Sequence, residues 1–164
     1  MARKKREYRM PKTENDIMFI GSLVEFISRK TKNRQVVVAD IIGYDRLKHI
    51  YDYADVNHCL SMEDLYSELC EDITFPIGKY DMSKSYNERS IKNIYLAAKP
   101  IAFMTTDMKL NHAEAFNKYW EIIHAEWFTK YLFNWDIELY RQPSYFLVYC
   151  YENHVVNIDD FPCI

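Results

Sequence analysis

Residues 35–54 read QVVVADIIGYDRLKHIYDYA, and the fold class turns on this stretch. An apolar run rich in β-branched residues, a glycine at position 43 and a segment carrying Arg46, Lys48 and His49 fit three structures. They are a buried strand, a DNA-reading helix-turn-helix, and two core helices joined at a glycine cap. Valines at 36–38 would suit a strand, but Gly43 directly after the run suits the residue that ends a helix. The helix-turn-helix pattern fits in its first half, where Ala39 and Gly43 sit four apart and Val38 and Ile42 supply apolar positions. It slips in the second half, because the interhelical apolar position falls on His49 and Ile50 comes one residue late. One residue on a helix is about 100° of rotation, enough to take a side chain out of the core. Asp45, Asp52 and Asp55 would also face phosphate unfavourably. Two capped core helices is therefore the reading, the second over Tyr44–Val56 with Leu47, Ile50, Tyr51 and Ala54 inward.

Upstream, ARKKREYRMPK (2–12) holds six basic residues and no apolar period, which predicts a flexible arm. Thr13 or Asn15 can cap a helix over 16–30 that turns Ile17, Ile20, Leu23, Val24 and Ile27 to one face. Met18, Phe19 and Phe26 widen that stripe, so more than one neighbour should cover it. Downstream, Ser61 with Asp64 predicts a capped helix over 62–72, followed by an extended link, FPIGKYDM (75–82). Ser85 with Glu88 predicts another, ended by Pro100. Asn111 with Glu114 opens the longest, over 112–134. Its first stripe is Ala113, Phe116, Trp120, Ile123, Trp127 and Tyr131, and its second is Tyr119, Ile122, Phe128, Leu132 and Trp135. Pro143 fits the first turn of a last helix, although SYFLVYCYENHVV would equally suit a strand.

These segments add up to a mostly α protein, a compact bundle of five to seven helices in one domain with room for two lobes. The divisions are a basic arm (1–14), an N-terminal helical lobe (15–74), a linker (75–84) and a C-terminal helical lobe (85–164). Three glycines and five prolines among 164 residues are poor punctuation for a many-stranded protein. Fourteen tyrosines exceed what a small core needs, and tyrosine suits a partly wet contact with a partner. The basic start runs into polar MPKTEN rather than an apolar leader, and no apolar run approaches the roughly 20 residues that span a bilayer. The expectation is a cytoplasmic protein outside the membrane, with Cys59, Cys70, Cys150 and Cys163 as free, mostly buried thiols.

Charge is unevenly spread. Residues 1–50 carry twelve Lys/Arg against six Asp/Glu, and residues 51–164 carry nine against eighteen. Such a separation orients an approaching partner, phosphate on one side or a basic protein on the other. No phosphate-binding glycine loop, nucleophile elbow or zinc-binding helix motif occurs. Glu121 and His124 have a metal-ligand spacing, with only Asp55 and His58 close to it elsewhere, short of the set a carboxylate-bridged metal pair requires. His58 beside Cys59 lacks an oriented base and an oxyanion turn. No metal, cofactor or catalytic residue is expected.

The run DIMFIGSLVEFISRKTKNRQVVVADIIGYDRLKHIYDYADVNHCLSMEDLY (16–66) resembles a group of short, uncharacterised helical domains from gut-dwelling bacteria. These have an apolar helix, a short valine-rich segment, a Tyr/His-containing helix and an acidic helix in that order. Such domains tend to sit beside toxin-like or mobile-element genes, so the resemblance implies an accessory or regulatory role and transfers no site residues.

The resulting expectation is a non-catalytic regulatory protein acting by protein–protein contact. It could serve as a bacterial or phage inhibitor of a defence nuclease, in the manner of an anti-CRISPR protein, or as a toxin–antitoxin accessory. Glu63, Glu68 and Glu71 at helical spacing would face the partner, with Tyr119 and Trp127 as aromatic anchors. The alternative is a nucleic-acid-binding regulator using Lys4, Lys5, Arg6, Lys30, Lys32, Arg34, Arg46 and Lys48. Self-association is a further alternative.

Overall fold

A computed structural model describes residues 10–80, 94–135, 137 and 139–156. Among the described residues it holds nine α-helices and no strand. The first, α1, runs Lys12–Thr31 and starts about a turn before the expected start at 16, because Pro11 and not Thr13 or Asn15 is its N-cap. Proline's fixed φ suits entry into a helix, and its missing N–H is lost where no intrahelical acceptor exists. Ile17, Ile20, Leu23, Val24 and Ile27 are fully buried. Helices α2 to α7 all touch α1, which explains its apolar width. The buried hydroxyls of Ser22, Ser28 and Thr31 donate to the carbonyls four residues back, each at 2.7 Å, so they enter the core satisfied.

The deciding stretch is two helices. α2 spans Gln35–Ile42 and ends at Gly43, whose φ of 86° is one that a side chain disfavours. The Gly43 amide closes the turn on the Ala39 carbonyl at 2.9 Å. α3 spans Tyr44–Asp52 and α4 spans Ala54–Asn57, so the single helix expected to Val56 is broken at Tyr53. Leu47, Ile50, Tyr51 and Ala54 are buried, while His49 is exposed, as the register argument required. α5 spans Met62–Leu69 with both bonds of the Ser61–Asp64 capping box in place, and stops short of Asp72.

The segment read as a link is bonded to the end of α1. The Gly78 amide donates to Thr31 O at 2.8 Å and the Tyr80 amide to Lys32 O at 2.9 Å. Asn33 Nδ2 donates to Pro76 O at 2.8 Å, and Phe75 is buried. The Ser85–Glu88 box falls outside the described residues. α6 spans Tyr95–Asp107 and carries Pro100 inside it, where the sequence reading ended a helix. Proline removes the donor for the Leu96 carbonyl. The helix continues because Ile101, Ala102, Met104 and Thr105 are buried beyond it and α6 packs along α1.

The long helix expected over 112–134 is two, α7 (His112–His124) and α8 (Glu126–Leu132), separated at Ala125 with ψ 77°. The Asn111–Glu114 box starts α7 with both bonds formed. Ala113, placed on the inner stripe, is exposed, and Ala115 is buried instead. A 3-10 turn, Leu139–Arg141, leads to α9, Ser144–Asn153, so the last segment is helical and not a strand. Pro143 is its N-cap, one position before the first turn. Buried residues from 17 to 150 form one cluster, with α1 at its centre and both expected lobes contributing to it. No helix among the described residues is long and apolar enough to cross a membrane.

Candidate partner-binding face

A groove of about 330 Å³ lies between α3, α4 and α5. Ile50, Leu65 and Leu69 are its buried apolar residues, placed there by the inward stripe of α3 and the buried face of α5. Tyr53 and Val56 edge it and are 54 % and 67 % exposed. Glu68 lines it, and Glu71 and Asp72 follow just past the end of α5, all exposed. Arg46 lies in the groove but its guanidinium donates to Asp72. Asp64, at the start of α5, is held below the usual carboxylate range by its bonds from Ser61.

The acidic candidates stand in different positions. Glu63 accepts from Lys30 Nζ at 2.6 Å, and that ammonium also lies near the rings of Phe26 and Tyr66. Glu68 and Glu71 have no cation within ion-pair distance among the described residues. Glu71 lies beyond α5, so the three do not share one helix as expected.

The basic candidates are mostly neutralised. Beyond Lys30 and Arg46, Arg34 donates to Glu126 at 2.9 Å and lies over the Tyr80 ring, and Lys48 donates to both Asp52 oxygens. Lys32 is exposed and has no acidic partner among the described residues. Lys4, Lys5 and Arg6 lie outside the described residues. The second half of the would-be DNA-reading motif thus turns its two cations onto the protein's own carboxylates.

Of the aromatic anchors, Tyr119 is corrected. It is 2 % exposed, packed beneath α1, and its hydroxyl has no hydrogen-bond partner among the described residues. Burial pushes its phenol well above the ordinary value. Tyr119 belongs to the core because it shares the buried face of α7 with Ala115, Phe116, Ile122 and Ile123, against Gly21 of α1. Trp127 is half-buried, stacked on Tyr151 at 5.8 Å and on His154 at 4.6 Å, away from the acidic groove's residues.

Glu121 pairs with Lys118 at 2.7 Å. His124 places Nε2 at 2.6 Å from Asp40 and Nδ1 at 2.7 Å from the Trp120 carbonyl, so each half of that spacing is engaged elsewhere. Among the described residues no cluster of three or more His, Cys, Asp or Glu is placed to hold a metal ion. The cysteine expectation needs correction: Cys59 and Cys70 are exposed and Cys150 alone of the described three is buried, because α4 and α5 end at the surface.

Sequence reasoning missed three buried carboxylates on α1. Asp16 is fully buried, accepting from Lys12 Nζ at 2.8 Å and contacting His112 Nε2 at 3.2 Å. The hydrogen bond to Asp16 raises the Lys12 pKa. Tyr51 stacks on the His112 ring at 4.1 Å and donates to the His112 carbonyl at 2.8 Å. Glu14 accepts from Thr106 at 2.5 Å. Glu25 accepts from Arg29 Nε at 2.8 Å and Gln35 Nε2 at 2.6 Å. These contacts join α1 to α2, α6 and α7, and their partners come from sequence separations of up to 96 residues, beyond any local pattern.

The fold and this face define an all-α protein with an acidic, tyrosine-edged groove. The chain matches no protein-family model, no curated protein and no solved structure.

Proposed function

We propose that the protein acts by binding another protein, and that the groove between α3, α4 and α5 receives a basic amphipathic segment of that partner. The observation that carries this reading is the distribution of unpaired charge. Lys30, Arg34, Arg46 and Lys48 are each held by a carboxylate of the chain, whereas Glu68 and Glu71 stand exposed beside an apolar groove. An apolar floor supplies affinity and the unpaired acids steer and orient a cationic partner. A partner that ordinarily handles nucleic acid carries such a cationic surface, which is the basis for an inhibitor or antitoxin-like accessory role.

The test uses the full chain to capture partners from its native cell, with and without nuclease treatment, beside the Glu68→Lys/Glu71→Lys variant. Glu63 is left intact because its reversal would break the Lys30 pair. The expected result is a protein that survives nuclease treatment and is lost from the variant, with the variant's thermal midpoint unchanged. Capture that vanishes with nuclease, or that is indifferent to the charge reversal, overturns the reading and favours nucleic-acid binding through Lys32 and the basic arm.

A further inference from the structure

A second cavity, of about 480 Å³, opens where the start of α1 meets the end of α4 and the start of α5. Three methionines line it. Met10 stands ahead of the Pro11 cap, Met18 lies on α1, and Met62 is the first residue of α5. His58, the residue that ends α4, lines the cavity too. The chain has seven methionines, so nearly half of them meet in one place, although no local pattern brings them together.

The lining departs from the rest of the chain. It holds no carboxylate, lysine or arginine, in a sequence that is 27 % charged. The three thioethers are half-buried, whereas Met104 is fully buried and fills the core as methionine ordinarily does. His58 is held from two sides. Its ring centre lies 4.3 Å from that of Phe19, and its Nε2 lies 3.1 Å from Asn15 Nδ2. Its Nδ1 has no hydrogen-bond partner among the described residues. With the Asn15 amide turned end for end, the amide oxygen accepts from Nε2–H and the Nδ1 lone pair is left for a ligand. A hydrogen bond on the far nitrogen is the common way to orient a metal-ligating histidine.

Thioether sulfur is a neutral, polarisable donor. It offers little to magnesium or calcium, which take oxygen ligands, and it suits the soft ion copper(I). A lining without carboxylates also favours a monovalent over a divalent ion, because less charge goes uncompensated. We propose that this cavity binds copper(I) through the sulfurs of Met10, Met18 and Met62, with His58 Nδ1 as the fourth ligand. Three rotatable bonds in each methionine let the sulfurs converge on the ion. The site shares no residue with the α3–α5 groove and stands or falls independently of it.

The test follows the methionine methyl resonances by NMR as silver(I), a soft monovalent ion that does not oxidise, is added to the full chain. The chain carries Cys59→Ser, Cys70→Ser and Cys163→Ser, so that these thiols do not compete. The expected result is saturable one-to-one binding at about 10 µM or tighter, with zinc(II) at least about a hundredfold weaker. The methyls of Met10, Met18 and Met62 should shift, and those of Met104 and Met108 should not. Met18→Leu/Met62→Leu conserves volume and apolar character and removes two sulfurs, so the metal-free protein should stay folded while silver(I) binds at least about a hundredfold more weakly. Met10→Leu, ahead of the first helix, and His58→Gln should each weaken binding about tenfold, and they give the same readout if the double variant misfolds. No saturable shift, shifts of equal size at Met104 and Met108, zinc(II) binding as tight as silver(I), or indifference to the methionine or His58 variants would each overturn the proposal.

Discussion

Gly21 of α1 lies against Ala98 of α6 so closely that a β-carbon on Gly21 would come within 2.8 Å of the Ala98 β-carbon. Ala97 and Ala102 are also buried along α6, so the two helices meet through small side chains. This contact sets the spacing of the central pair. Gly21→Ala should therefore destabilise the protein by about 1–3 kcal/mol through overpacking, although alanine is the better helix former by about 1 kcal/mol. Ala98→Gly in the same chain should return part of that loss, giving a coupling above about 1 kcal/mol in urea denaturation. Additive single effects would show that the helices do not touch there.

The local signals in the sequence were legible where their partners were local. The Ser61–Asp64 and Asn111–Glu114 boxes, and Gly43 as a cap, each depend on residues within one turn, and each is present. Breaks without a local breaker were not legible. Ala125 and Tyr53 interrupt apolar stripes that continue in phase on either side, and nothing in those residues opposes a helix. Pro100 failed in the opposite sense, since burial of the following turn outweighs a local penalty. Of the candidate face, the acidic run was visible, but which charges remain unpaired was not. That depends on Lys30 reaching Glu63, Arg34 reaching Glu126 and Arg46 reaching Asp72, across 33, 92 and 26 positions.

Thiol reactivity should separate the described cysteines by exposure. Cys150 is 1 % exposed and its thiol is pushed up by burial, which lowers its thiolate fraction. Timed labelling with a maleimide followed by peptide mapping should find Cys59 and Cys70 modified first and Cys150 only on unfolding. Labelling of Cys150 at the rate of Cys59 would mean that α9 opens in the native state.

The internal ion pairs make a specific prediction about nucleic acid. These pairs are largely exposed, so each contributes no more than about 1 kcal/mol, and the triple variant Lys30→Gln/Arg34→Gln/Arg46→Gln should remain folded. If those cations met phosphate, their loss would flatten the salt dependence of any binding by about one unit each. Held by carboxylates, they should leave it unchanged in a fluorescence-anisotropy titration over increasing salt. A slope reduced by three units would place nucleic acid on this surface.

Two buried tyrosines should respond in opposite directions when reduced to phenylalanine. Tyr51 donates to the His112 carbonyl, so Tyr51→Phe should cost about 1 kcal/mol, the net contribution of a hydrogen bond. Tyr119 has no partner for its hydroxyl among the described residues. Tyr119→Phe removes a buried unsatisfied group and should stabilise by about 1 kcal/mol. Burial, the largest cause in each, raises both phenols in the folded protein, with Asp16 and Asp52 adding to the effect at Tyr51 and Glu25 at Tyr119. An unfolded phenol titrates near pH 10. The native state thus keeps protons that the unfolded chain gives up, and the stabilisation is fully present below about pH 10 and is lost as pH rises above it. Urea denaturation between pH 8 and pH 11 should show stability falling above pH 10. In Tyr119→Phe the fall should be shallower by about 1.4 kcal/mol per pH unit, the contribution of one proton. An unchanged alkaline slope in that variant would mean that the Tyr119 hydroxyl ionises in the folded protein and reaches water.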